Sequence, residues 1–237
     1  PNHCYLGGEY QCPDGGNITV FAELVNFTGS VTADGGQTSS SSVPAGKGGA
    51  VVIYASTFVG NATVSANSGL CASDYSNGVR GGIIRVNATA INYIGNLQAY
   101  GNSPCFYASI AGNGGSINLT AATVNFTGNI TVAGGSILRA GQASGNGGNI
   151  LVSASGGLNI SNAVINVTNG SGPPSAVAGN VTLQWGSSLD EFNAVLAPEG
   201  VAFHNLSNAN GSLRFVQRTN LTQIANVGSQ ILQLNNS

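Results

Sequence analysis

Charge is what this 237-residue sequence has least of: Asp, Glu, Lys and Arg make up 6% of it, against about 25% in an ordinary soluble domain. The six Lys and Arg are scattered and the net charge is -2, so no basic footprint for nucleic acid is present. Methionine is absent. The two histidines, His3 and His204, stand at opposite ends of the chain, too far apart in sequence to suggest a metal centre or a catalytic triad with the cysteines. No apolar run approaches the roughly 20 residues that span a bilayer, and the chain opens at Pro1 without a signal-like segment, which reads as a processed chain or a fragment. The acidic residues are Glu9, Asp14, Glu23, Asp34, Asp74, Asp190, Glu191 and Glu199. Acid-base or calcium chemistry needs carboxylates gathered in one place. Only Asp190 and Glu191 are adjacent, within reach of Glu199, and they read as a solvated turn. The expectation is a chain with no catalytic residue, no metal and no cofactor.

Glycine and asparagine are plentiful instead. Gly-Gly pairs stand at 15–16, 48–49, 81–82, 114–115 and 147–148, four successive intervals of 33 residues, with a weaker sixth copy opening at Ala178. Counting the first Gly as position 1, position 4 holds Ile18, Val51, Ile84, Ile117 and Ile150. Position 6 holds Val20, Ile53, Val86, Leu119 and Val152, and position 8 is Ala throughout: Ala22, Ala55, Ala88, Ala121 and Ala154. Apolar residues at every second position mark strands. Positions 11, 13, 17 and 19 continue the pattern, which gives three short strands per unit and then about eleven variable residues that read as a loop. A unit of this kind that returns each side chain above its counterpart is one coil of a parallel β-helix. Ankyrin repeats share the period but require helices, which the alternation excludes.

The expected fold is therefore all-β: a solenoid of about five 33-residue coils and a weaker sixth over 15–205, an N-terminal cap over 1–14 and a C-terminal β segment over 206–237. That last segment either caps its own chain or gives strands to a neighbour. Cys71 and Cys105 fall at positions 24 and 25 of consecutive coils, so stacking brings them to bonding distance. Cys4 and Cys12 then close a loop in the cap. An even cysteine count suits an oxidising compartment. Lys47 and Arg80 share position 33, with Asn113 and Asn146 continuing the column; this reads as an exposed column with Asp74 as a partner for Arg80.

Fifteen N-x-S/T sequons are present: Asn17, Asn26, Asn61, Asn87, Asn118, Asn125, Asn129, Asn159, Asn166, Asn169, Asn180, Asn205, Asn210, Asn220 and Asn235. Ten of the fifteen Thr but only five of the twenty-six Ser lie two residues after an Asn, so alternation of polar and apolar residues alone does not explain the excess. The reading is N-glycosylation of a secreted or cell-surface chain. In the repeat frame Asn17, Asn26, Asn87, Asn118, Asn125 and Asn129 all face outward. Asn159 falls at an inward position, so either the fifth coil slips by one residue near Gly156 and Gly157 or this sequon is unused.

The stretch "GGSINLTAATVNFTGNITVAGG" at 114–135 resembles the Gly-rich β-helical repeats of large secreted and surface proteins, of the filamentous-haemagglutinin type and of protist repeat proteins. The resemblance covers 15 to about 178. It implies an extracellular structural or adhesive role and carries over no site residue. The expectation for function is a glycosylated subunit of a filament, sheath or matrix, its partners further copies of itself. The alternative is an adhesin or carbohydrate-binding module working through loop aromatics such as Tyr75, Phe106 and Tyr107.

Overall fold

The computed structural model describes residues 3–4, 12–38, 44–70, 77–104, 110–137, 141–171, 176–177, 179–185, 202–203, 213–217 and 233–234. Among them there is no helix. The strands are β1 (His3–Cys4), β2 (Asn17–Phe27), β3 (Val31–Thr32), β4 (Gln37–Thr38), β5 (Ala50–Gly60), β6 (Thr63–Ser65), β7 (Ile83–Gln98) and β8 (Ser116–Ala121). They continue as β9 (Thr123–Thr131), β10 (Asn149–Ala154), β11 (Leu158–Asn166), β12 (Asn180–Trp185), β13 (Ala202–Phe203), β14 (Leu213–Gln217) and β15 (Gln233–Leu234). Every pairing is parallel, so the chain is an all-β parallel solenoid.

The register is the sequence period. Ile18 pairs with Val51, Val51 with Ile84, Ile84 with Ile117 and Ile117 with Ile150, and the column continues through Val181 to Leu213. From Val51 to Val181 these side chains are buried, as are Ile53, Val86, Leu119, Val152 and Leu183 in the next column. Each fully buried branched side chain of this kind contributes about 1.5–3 kcal/mol, and the stack repeats that contribution coil after coil. The alanine column marks a bend, where a small side chain lets the strand turn without lifting off its neighbour. In β2, β5 and β7 the hydrogen-bonded ladder runs straight through this bend. The first two expected strands are there one continuous strand, and β7 takes in the third as well.

Gly60 leaves a gap in an otherwise large inward column, and aromatic rings fill it. Phe58 stacks on Tyr93 at 4.7 Å and meets Phe27 edge-on at 5.7 Å, and Tyr93 stacks on Phe126 at 5.8 Å. The Tyr93 hydroxyl donates to the Ala62 carbonyl at 2.9 Å. Burial is the larger influence on this phenol and pushes its pKa up to about 12, although the Ala62 hydrogen bond acts the other way. In the unfolded chain it ionises near 10, so the stability Tyr93 contributes is complete below pH 10 and is lost as pH rises toward 12. Tyr93→Phe is expected to cost about 1 kcal/mol at neutral pH and to flatten the alkaline fall in Tm. Parallel Tm–pH curves for the two proteins would contradict this.

The variable segments are not free loops along their whole length. After position 19 the backbone leaves the apolar core and returns, and its two arms bond to each other. Gly46 N–H donates to Gly36 O at 2.9 Å, Gly112 to Asn102 O at 2.9 Å and Gly145 to Gly135 O at 2.9 Å. The same arms bond to the next coil, through Gly69 to Gly46 O, Gly135 to Gly112 O and Gly170 to Gly145 O. A side chain on Gly46 or Gly145 would overlap a neighbouring carbonyl, so glycine is what allows the arms to approach this closely. The first, third and fourth coils therefore have two lobes, one filled by side chains and one closed by backbone hydrogen bonds; in the second, the Val79 N–H donates instead to Asn102 Oδ1 of the next coil at 2.6 Å. The second Gly of each pair cinches the waist: Gly49 N–H donates to Ala33 O, Gly82 to Ala66 O and Gly115 to Ala99 O, at 2.6–2.7 Å.

The fifth coil slips. Leu158 pairs with Val124 and Asn159 with Asn125, a step of 34, and a bulge between Asn159 and Asn162 lengthens the step again. The slip turns Asn159 outward, into the same column as Asn125, and it is exposed.

Candidate functional site

Two features of the surface carry chemistry: the sequon-bearing outer face and the N-terminal end of the stack. On the outer face Asn17, Asn26, Asn61, Asn87, Asn125, Asn129, Asn159 and Asn180 are exposed, and Asn118, Asn166 and Asn169 are half-buried. None of these eleven is buried, although the Asn169 Nδ2 donates to the Ala176 carbonyl at 3.0 Å. Asn205, Asn210, Asn220 and Asn235 lie outside the described residues. Two sequon amides belong to short polar ladders: Asn129 Nδ2 donates to Asn96 Oδ1 at 2.7 Å, and Asn180 Nδ2 to Asn149 Oδ1 at 3.0 Å. Thr168 donates to Asn166 Oδ1 from both its hydroxyl, at 2.9 Å, and its backbone N–H, at 3.0 Å.

A second set of Asp and Asn residues works between coils; the sequence places Asn113 and Asn146 in the position-33 column but does not give them this role. Asp14 Oδ1 accepts from the Lys47 N–H at 2.8 Å, Asp34 Oδ1 from Asn67 at 2.6 Å and Asn67 Oδ1 from Tyr100 at 3.1 Å. Asn113 Oδ1 accepts from Asn146 at 2.9 Å, and Asn146 Oδ1 from Val177 at 2.8 Å. Each side chain satisfies a backbone donor of the next coil at a corner, where the regular ladder is interrupted. The available signal was recurrence: acceptor side chains at position 33 (Asp14, Asn113, Asn146) and at position 20 (Asp34, Asn67). Lys47 and Arg80 are exposed in the first of these columns, as expected, on the lip of an open groove of about 660 Å³ floored by the Gly-Gly pairs. Asp74 lies outside the described residues.

Of the acidic residues, Asp14 and Asp34 are thus corner acceptors and Glu23 is exposed on β2. Glu9, Asp190, Glu191 and Glu199 lie outside the described residues, as do His204 and the His3 side chain. Among the described residues no three of His, Cys, Asp and Glu come together. Among the described residues no helix is long and apolar enough to cross a membrane. Cys12 is disulfide-bonded and buried; the side chain of Cys4 and the whole of Cys71 and Cys105 lie outside the described residues. Close by, Ile110 N–H donates to Asn77 Oδ1, 33 residues away, so the returning arms of those two loops are stacked one coil apart. Tyr75, Phe106 and Tyr107 also lie outside the described residues.

The N-terminal end is unequally covered. β1 pairs with β4, Gly36 N–H donates to Pro13 O, and Cys12 N–H donates to Pro44 O, all on the glycine lobe. The core lobe begins at β2, which pairs with β5 and, among the described residues, with nothing on its other side. Its inward column shows the consequence: Ile18 and Val20 are half-buried and Ala22 is exposed, while Val51 and Ile53 one coil on are fully buried. Phe21 is 74% and Leu24 61% exposed. Gly16 says the same: a side chain there meets nothing within 4 Å, while at Gly49 or Gly82 it would overlap the coil before. β2 has eleven residues, no Lys and no Pro, and a single charge, Glu23, so the usual devices that blunt a sheet edge are nearly absent.

No protein-family model, no curated protein and no solved structure matches the chain.

Proposed function

We propose that this protein is an extracellular, N-glycosylated structural subunit that builds a filament, sheath or matrix by stacking end to end. The observation that carries the reading is the open β2 edge, with its half-exposed apolar column and ungated backbone. The two ends of a parallel stack are different but complementary surfaces, because every strand presents alternating donors and acceptors on each edge and all strands run the same way, so the last strand of one copy can pair in register with the first strand of the next. A contact between unlike ends does not close on itself and grows into a fibre. Sequons on the flat sides supply the wetting that a chain with so few charges needs. The likeness of the repeat to those of secreted surface proteins agrees with this placement.

Electron microscopy of the native protein, before and after enzymatic deglycosylation, tests the reading. Fibres of constant width with an axial repeat of one subunit are the expected result, and deglycosylation is expected to make them bundle laterally while the repeat stays the same. Discrete rods at every concentration, whether or not sugars are present, would overturn it.

A further inference from the structure

One column on the outer face combines exposed aromatic surface with a sequon. Position 7 holds Phe21, Tyr54 and Asn87 on three consecutive parallel strands, with Phe21 paired to Tyr54 and Tyr54 to Asn87. The rings of Phe21 and Tyr54 lie face to face, centroids 4.9 Å apart and planes within 5°. Stacking along the strand-to-strand direction leaves the opposite face of Tyr54 turned toward the Asn87 rung. Tyr54 is 37% exposed and Asn87 is exposed. Adjacent rungs of a sheet are about 4.8 Å apart, which is also a stacking distance for a ring on an aromatic face.

We infer that Tyr54 is the seat for the first sugar of an N-glycan on Asn87, giving a three-layer stack of Phe21, Tyr54 and sugar ring. The inference rests on the glycosylation reading above and adds to it a named occupant for the exposed aromatic pair. The tether fixes the geometry. A sugar on Asn87 Nδ2 leaves the sheet from the rung next to Tyr54 and reaches slightly further out than the phenol, over its hydroxyl half. The axial C–H bonds of a pyranose carry partial positive charge, and the aromatic face carries negative charge. Because the sugar is covalently held, it loses little freedom on docking, and a weak contact is then enough to populate the stacked state. The row holds no second sequon, and Thr120, next along the ladder after Asn87, offers no competing ring.

The test uses the full chain secreted from eukaryotic cells that attach N-glycans. Peptide mass spectrometry reads occupancy at Asn87, and Tm is measured for the parent, Tyr54→Thr, Thr89→Ala and the double variant, with Asn87→Gln replacing Thr89→Ala in a second set. Tyr54→Thr is expected to lower Tm by about 2–4 °C more when Asn87 is glycosylated than when its sequon is removed. Tyr54→Phe should keep that difference. An endoglycosidase that leaves one N-acetylglucosamine should preserve it, and an amidase that removes the whole glycan should abolish it. Occupied Asn87 with strictly additive Tm changes would overturn the seat and leave the glycosylation reading standing. An unoccupied Asn87 would overturn both at this position.

Discussion

Gly82→Ala is expected to destabilise the protein by about 3 kcal/mol or more, while Gly16→Ala, the same position of the first coil, leaves stability unchanged or raises it slightly. The methyl group at Gly82 would overlap the carbonyl oxygen of Gly49 in the coil before it. The colliding atom is backbone, held in a ladder on both sides, so it cannot step aside as a side chain would, and overpacking of this kind sits at the costly end of its range. Gly16 has no coil before it in the described structure and nothing within 4 Å of the added carbon. There the substitution acts chiefly on the unfolded chain and is worth about 0.4–1 kcal/mol in favour of folding. Chemical denaturation of the two variants measures the contrast. Equal costs would mean that the glycine column is not set by the approach of one coil to the next.

The second large effect concerns assembly. If a further copy continues the ladder at β2, Gly16 acquires the neighbour that Gly49 already has, and its alanine variant becomes intolerable only in the fibre. Gly16→Ala is therefore expected to abolish end-to-end growth while leaving the monomer as stable as the parent. Phe21→Pro gives an independent route. The N–H groups of Ala50 and Ile83, third in their repeats, donate back to Gly16 and Gly49 of the preceding coil. By the alternation of a parallel strand, Phe21, at position 7 of its repeat, turns its N–H the same way, toward the open edge. Proline removes that donor and is tolerated on an edge strand. Light scattering and electron microscopy should show both variants as single solenoids at concentrations where the parent polymerises. Fibres of unchanged abundance from both would refute growth at this edge.

The core lobe was legible because two periods coincide in it. Alternation says strand, and recurrence after 33 residues says that Ile18, Val51, Ile84, Ile117 and Ile150 share a column, which they do. The glycine lobe was not legible as structure, because backbone bonded to backbone imposes no alternation on side chains. Its only trace is the spacing of Gly36 and Gly46 or Gly135 and Gly145, which reads equally well as loop composition. The corner acceptors hid for a related reason. An Asp or Asn at a turn is ordinarily read as solvated or as serving its own turn, whereas Asp34 and Asn113 reach the N–H one coil away. Asn159 shows a local frame outranking a global one: the template places it inward, and two glycines before it let the strand slip so that a polar residue is not buried.

The side-chain ties at the corners also bear on how such an object behaves under tension. Pulled lengthwise, a stack in which every rung holds only the next would peel from an end, one row of backbone bonds at a time, with no distant part of the chain sharing the load. Asp14, Asp34, Asn67, Asn113 and Asn146 add links beside those rows, at the bends where peeling would start. Their removal should leave an unstretched rod intact and make it tear at a lower force.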